Sequence, residues 1–170
     1  MAAHRERTRT IWDDQGVSSR PVDDVAAMRR ALDLAASALT SDDVPVGALV
    51  LDASGVVVGE GFNTRERDQD PLGHAELVAL RAAARQLGTW RLDGCTLVVT
   101  LEPCTMCAGA IVSSRVQRLV LGAWDDKAGA VGSLWDVVRD RRLNHRPEVT
   151  SGVLAEESSA LLRAFFADRR

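Results

Sequence analysis

The chain has 170 residues, 46% of them hydrophobic, which suits a single domain that buries its own core. Its three cysteines do not fit a secreted disulfide scaffold, and no apolar stretch approaches the length of a membrane span. The net charge of −3 argues against a surface coated in positive charge for indiscriminate nucleic-acid binding. The opening residues contain no apolar run typical of a signal peptide, so we expect a cytoplasmic protein with reduced thiols.

The first part of the chain predicts a helix and then a hairpin. Residues 1–20 are polar and without a clear period, and we expect a flexible N-terminal extension followed by a single domain, 21–170. A helix is predicted from Pro21 to about residue 39, because apolar residues recur near a 3.6-residue period. The runs VPVGALVLD (44–52) and GVVVGEGF (55–62) flank a short turn and predict two antiparallel strands.

The remainder of the chain alternates strands with helices. After the polar loop 63–73, helices are predicted at 74–88, 107–114, within 127–140 and at 155–170, with strands at 95–101, 116–123 and 148–154. Strands that alternate with helices form parallel sheets covered on both faces. The expected fold is therefore α/β, with three layers and a central mixed sheet of about five strands flanked by helices.

Two cysteines, Cys104 and Cys107, lie three positions apart directly after Pro103, in LEPCTMCAGA. Proline suits the first turn of a helix, so both thiols are expected on one face of a helix start, where free N–H groups favour thiolates. Such a pair suits zinc. This spacing alone also fits buried structural cysteines, a disulfide or a redox pair.

A second predicted helix start, His74-Ala75-Glu76, supplies the other half of a pattern. Alone, His74 fits a structural histidine and Glu76 a first-turn carboxylate. Together with Cys104 and Cys107 they match the zinc deaminase signature, in which one His and two Cys bind the metal and the Glu transfers protons. Three protein ligands leave one position for water, which is the pattern of a catalytic zinc. The sequence therefore predicts one zinc ion per chain, with Glu76 catalytic.

At this point the sequence resembles the bacterial tRNA-specific adenosine deaminases of the cytidine deaminase superfamily. The resemblance rests on HAELVALRAAA, TLEPCTMCAGAIVSSRV, DKAGAVGSLWDVV, LNHRPEV and SSALLRAFFADRR. It implies a cytidine-deaminase-like fold and a hydrolase that converts adenosine to inosine at the wobble position of an arginine tRNA. It also implies a homodimer that binds the tRNA anticodon stem-loop and no membrane.

The resemblance further implies a set of substrate-binding residues. Asn63 is expected to hydrogen-bond the adenine, with Val44 as an apolar wall of the base pocket and Ala75 as a further contact. Asp125 is expected near the nucleotide sugar, where a carboxylate can accept a hydrogen bond from a 2′-hydroxyl. The expected contacts to the anticodon loop are Phe165, Phe166, Arg169 and Arg170.

Simpler roles remain open for several of these residues. Asn63 alone fits a turn residue at a strand end, and one of the two adjacent phenylalanines is expected in the core. The arginines between 139 and 146 fit a solvated helix face. A deaminase of a free base or nucleoside would share the zinc site. A non-catalytic RNA-binding module would instead need a fourth protein ligand for a structural zinc.

Overall fold

The computed structural model describes residues 23–167 and 169, so the expected N-terminal extension lies outside the described residues. The helices of this part are α1 (Asp24–Ser37), α2 (Arg65–Asp68), α3 (Ala75–Leu87), α4 (Thr105–Ser113) and α5 (Ala155–Ala167). Its strands are β1 (Gly47–Leu51), β2 (Val57–Phe62), β3 (Thr96–Leu101), β4 (Arg118–Ala123) and β5 (Glu148–Ser151). Within these residues, no helix is long and apolar enough to cross a membrane.

The strands form one mixed sheet in the order β2-β1-β3-β4-β5. β1 is antiparallel to both β2 and β3, whereas β3, β4 and β5 run parallel. The predicted hairpin and the predicted parallel half are both confirmed. The hairpin turn is made by Asp52, whose carboxylate accepts the backbone N–H groups of Ser54 and Val56, and by Gly55, whose φ of 82° suits glycine.

Helices cover both faces of the sheet, as predicted. Alternate residues of each central strand point to opposite faces, so a strand buried on both sides is apolar throughout. On one face Val50, Leu97 and Leu121 belong to the core formed with α3 and α4. On the other face Leu49 and Val98 pack with α1, and Leu154 before α5 joins this second cluster. The three-layer α/β/α arrangement is thereby confirmed.

Glycines of β2 set the distance between the sheet and α3. A Cβ atom at Gly61 would lie 2.6 Å from the carbonyl oxygen of Ala75, and one at Gly59 would lie 2.4 Å from that of Ala79. Real Cβ atoms do not approach a carbonyl this closely, so only glycine permits this packing. The first turn of α3, which carries Glu76, is therefore held directly against the sheet.

The connection from β4 to β5 differs from the prediction. Residues 124–147 form turns and isolated bridges, so the helix predicted within 127–140 is wrong. The backbone N–H groups of Asp125, Val131 and Ser133 donate to the buried carboxylate of Glu102 instead of to helical carbonyl oxygens. A side-chain acceptor that satisfies several N–H groups competes with helix formation. The arginines of 139–146 consequently lie on a loop, not on a helix face.

Candidate active site

The residues that can carry chemistry meet at one edge of the sheet, beyond the carboxyl ends of β3 and β4. The start of β1 lies at this same edge, because the N–H of Gly47 donates to Thr100 Oγ1 at 3.2 Å. Asn63 follows β2 there, and its N–H donates to the carbonyl of Val46 at 3.0 Å. A cavity of about 160 Å³ opens between these segments. Crevices at the carboxyl ends of parallel strands are common ligand sites in α/β proteins.

Two helix starts flank this cavity. His74 is the N-cap residue of α3 and Cys104 is the N-cap residue of α4. Because α4 begins at Thr105, the prediction that Pro103 occupies its first turn is wrong, and Pro103 precedes the cap. The unpaired N–H groups and the dipole of a helix start favour negative charge, and this applies directly to the thiol of Cys104.

The structure brings His74, Cys104 and Cys107 together. The Nδ1 atom of His74 lies 3.7 Å from Cys104 Sγ and 3.5 Å from Cys107 Sγ. All three ligand atoms lie within 4.8 Å of one another. Tetrahedral zinc with ordinary Zn–N and Zn–S bonds places such atoms about 3.6 Å apart. The donor set and its spacing therefore fit zinc.

No fourth protein ligand joins this group in residues 23–167 or at 169. Structural zinc sites are closed by four protein ligands, whereas catalytic sites combine three with an open position. The His-Cys-Cys group has the composition of a catalytic site.

The protonation of the two thiols is linked. A hydrogen bond from Cys107 lowers the pKa of Cys104 to about 3, and His74 acts in the same direction against the effect of burial. The same pairing with Cys104, together with burial, raises the pKa of Cys107. The pair therefore shares one proton, and a cation bound by both sulfurs would release it.

Glu76 is a buried carboxylic acid beside this group. It lies in the first turn of α3 and is 4% exposed. Burial raises its pKa, opposed by the backbone N–H of Glu76 itself and by the charge of His74. A carboxyl group with a raised pKa is a better proton acceptor than an exposed one. Glu76 thus lies next to the candidate metal ligands but does not belong to the His-Cys-Cys group.

Several residues expected to bind substrate line the cavity: Val44, Asn63, Ala75 and Asp125. Asn63 is 8% exposed, its Nδ2 donates to the carbonyl of Val44 at 3.2 Å, and its Oδ1 has no partner in the described residues. Asp125 lies in the loop after β4, as the sequence predicted, and its Oδ1 accepts the N–H of Lys127 at 3.0 Å. Polar groups from two sides thus face one apolar-walled pocket.

The C-terminal residues expected to contact the anticodon loop do not line this cavity. Phe165 is buried, and the guanidinium of Arg169 covers its ring at 3.6 Å from the centroid. Phe166 is 49% exposed and lines a separate groove with Arg163 and Arg169. Lys127, close to Asp125 in sequence, lines the same groove. Arg170 lies outside the described residues.

Sequence reasoning missed two charged residues of the cavity wall, Arg65 and Glu102, and the apolar wall residues Val46, Leu101 and Ala128. Arg65 lies in the polar loop 63–73, which contains the short helix α2. Burial would raise the pKa of Glu102, but hydrogen bonds from Ser133 and from backbone N–H groups outweigh burial and lower it. A signal for Glu102 did exist, since it is a charged residue directly after the largely apolar, β-branched strand TLVVTL.

Comparison with known proteins agrees with this geometry. Residues 21–123 match the family model of the cytidine and deoxycytidylate deaminase zinc-binding region. The chain is 51% identical over 147 residues to the tRNA-specific adenosine deaminase of Haemophilus influenzae, covering 86% of this chain and 85% of that protein. The chain belongs to the tRNA-specific adenosine deaminase family. It carries the zinc-binding deaminase region of that family.

Solved structures show the same fold. One is a tRNA deaminase studied for A-to-I editing at the wobble position of transfer RNA; it is 42% identical, with a TM-score of 0.77, covering 81% of this chain and 99% of that chain. Another is the guanine deaminase of Nitrosomonas europaea; it is 32% identical, with a TM-score of 0.72, covering 84% of both chains. The expected cytidine-deaminase-like fold is confirmed.

Proposed function

We propose that this deaminase converts adenosine to inosine at the wobble position of tRNA, with the anticodon loop of an arginine tRNA as substrate. The observation that carries the proposal is the His-Cys-Cys group with the buried Glu76 beside it in one cavity. Membership of the tRNA-specific adenosine deaminase family supports adenosine in tRNA as the substrate of this chemistry. Such a protein would act in the cytoplasm.

His74, Cys104 and Cys107 would hold the zinc ion, which when bound lowers the pKa of water toward neutrality. Glu76 then performs the proton transfers of the reaction. Its carboxylate accepts a proton from the attacking water as the new bond to C6 of adenine forms. It delivers that proton to N1 of the ring. It then transfers the proton of the new C6 hydroxyl to the amine, so that the C6–N bond breaks, ammonia leaves and a carbonyl forms at C6. Because Glu76 is buried, bulk water does not compete for its proton.

The cavity must receive a single base, so the base has to leave its stack. Asn63 presents an unpaired acceptor, Oδ1, to a hydrogen-bond donor of the base edge. Val44 and Ala75 provide apolar surface against the ring. Single-stranded loops offer such unstacked bases at little cost, whereas duplexes do not. An anticodon loop satisfies this requirement.

Surfaces beside the cavity suit the rest of an RNA loop. Asp125 faces the cavity from the loop after β4, where its carboxylate can accept a hydrogen bond from the ribose 2′-hydroxyl. The neighbouring groove combines the exposed Phe166 ring with the cations of Lys127, Arg163 and Arg169. An aromatic ring stacks on a base while cations meet phosphates. The proposal also includes a homodimer, and contacts between the anticodon loop and the C-terminal residues of this groove.

The test uses an RNA hairpin with the anticodon loop of an arginine tRNA and adenosine at the wobble position. Wild-type protein should produce inosine in this hairpin and none from free adenosine. Glu76→Gln should keep its zinc and lose turnover by about a thousandfold or more, because the proton acceptor is gone. Glu148→Gln, an exposed glutamate on β5, is the matched control and should retain activity.

Near-normal turnover by Glu76→Gln would exclude its assigned role. A second candidate function is deamination of free guanine, favoured by the likeness to the Nitrosomonas europaea enzyme. Guanine should therefore be offered in the same assay. Conversion of free guanine without any inosine in the hairpin would replace adenosine editing by the second function.

A further inference from the structure

Glu102 accepts four hydrogen bonds from Asp125, Val131 and Ser133, and neither the chemistry nor the metal site above uses it. It follows β3 directly and is 2% exposed. Its Oε1 accepts the N–H groups of Val131 at 2.9 Å and Ser133 at 3.0 Å. Its Oε2 accepts the N–H of Asp125 at 2.9 Å and the hydroxyl of Ser133.

These bonds reach across the loop from Asp125 to Ser133. Such a loop cannot bury unpaired N–H groups without a large cost, and Glu102 supplies acceptors at both of its ends. No arginine, lysine or histidine within the described part of the chain forms an ion pair with Glu102, so its negative charge is matched by these donors. By accepting these hydrogen bonds, the carboxylate of Glu102 fixes the conformation of the loop.

Gly129 provides an independent sign that the loop is fitted to this carboxylate. A Cβ atom at Gly129 would lie 2.2 Å from Glu102 Oε2, so only glycine can pass the carboxylate there. Gly129 also forms an isolated bridge with Cys104. The next residue, Ala130, donates its N–H to the carbonyl of Pro103 at 2.9 Å. The loop is thereby joined to Pro103 and Cys104, the two residues that follow Glu102 and lead into α4.

We propose that Glu102 is a positioning residue that fixes the loop from Asp125 to Ser133 and so holds the carboxylate of Asp125 at the substrate ribose. The inference rests on the proposed function, because it gives Asp125 the role of ribose contact. The backbone N–H of Asp125 is fixed by Glu102, and Asp125 lines the cavity. Removal of the Glu102 charge should therefore release Asp125 while the proposed base contacts Asn63, Val44 and Ala75 stay in place.

The experiment is a double-mutant cycle of Glu102→Gln and Asp125→Asn, with two hairpins that differ only in adenosine or 2′-deoxyadenosine at the wobble position. The wild type should prefer the ribose hairpin. Asp125→Asn should reduce this preference, and Glu102→Gln should reduce it by a similar factor of about ten. The double variant should lose no more than either single variant, because both act on one contact. Zinc content should remain at the wild-type value in all of them.

Two further variants keep the test decisive. Glu148→Gln, the exposed control, should leave the ribose preference unchanged. Ser133→Ala removes only the hydroxyl donor to Glu102, and it should lower the preference in the same direction even if Glu102→Gln does not fold. Additive losses in the cycle, or an unchanged preference in both Glu102→Gln and Ser133→Ala, would overturn the role of Glu102. Absence of inosine with the wild type would instead overturn the proposed function.

Discussion

Asn63 donates a hydrogen bond from its side-chain Nδ2 to the carbonyl oxygen of Val44, at 3.2 Å. This bond ties the end of β2 to the segment that leads into β1, and both residues line the cavity. It also orients the amide so that Oδ1 stays buried, with no hydrogen-bond partner among residues 23–167 and 169. Buried polar atoms nearly always have a partner, and this acceptor at the cavity supports the proposal that Asn63 accepts a hydrogen bond from the substrate base.

Replacement of Asn63 by alanine should lower kcat/KM on the hairpin about 10- to 100-fold, because a buried hydrogen bond to the base is lost. Zinc content should not change, since Asn63 is not among the candidate ligands. Steady-state kinetics with the anticodon hairpin measure the effect. Asn144→Ala, on the exposed loop before β5, is the matched control. Equal kcat/KM for the two variants would contradict the assignment.

Replacement of either clustered cysteine by alanine should remove the metal, whereas Cys95→Ala should retain it. Cys104 and Cys107 approach His74 to 3.7 Å and 3.5 Å, while Cys95 precedes β3 and does not belong to the group. Zinc affinity depends on thiolate ligands, so one lost sulfur should leave an incomplete site. Elemental analysis of the purified variants gives the zinc-to-protein ratio. Full occupancy in Cys107→Ala would exclude it as a ligand.

Replacement of Gly61 by alanine should destabilise the protein by about 1–3 kcal/mol, because the added methyl group forces α3 away from the sheet. The methyl carbon would lie 2.6 Å from the carbonyl oxygen of Ala75. Gly109→Ala, within α4, meets nothing within 4 Å and should stabilise by about 0.5–1 kcal/mol through its helix propensity. Urea denaturation measures both values. A stable Gly61→Ala would show that α3 can shift freely.

Replacement of Asp24 by asparagine should lower the free energy of unfolding by about 1–2 kcal/mol, because it breaks a half-buried bidentate ion pair. Arg118 on β4 donates to both oxygens of Asp24, at 2.7 Å and 2.5 Å, and so joins α1 to the sheet. Asp93→Asn is the control, since its pair with Arg91 is about half exposed and should contribute under about 0.5 kcal/mol. Equal losses in denaturant titrations would refute this difference.

The sequence by itself determined the chemistry of the site. The proposed metal site and proton transfer depend on the residue types and short spacings of His74-Ala75-Glu76 and of Cys104 and Cys107, so the sequence shows this pattern locally. The strands and most helices could also be predicted from local sequence. Strands buried on both faces, for example, leave continuous apolar runs. Gly88 ends α3 with a φ of 68°, a conformation that glycine adopts readily after a helix.

Only the tertiary structure decided how distant segments share one carboxylate. Glu102 satisfies N–H groups more than twenty residues away, and this long-range competition removed the helix predicted within 127–140. Likewise, Phe165 is buried while Phe166 is 49% exposed, because the rotation of α5 against the sheet selects one of the two. Local sequence patterns indicate the periodicity of an element and the chemical types of its residues. The partner of a buried polar group depends on which segments the sheet brings together, and that is set by packing.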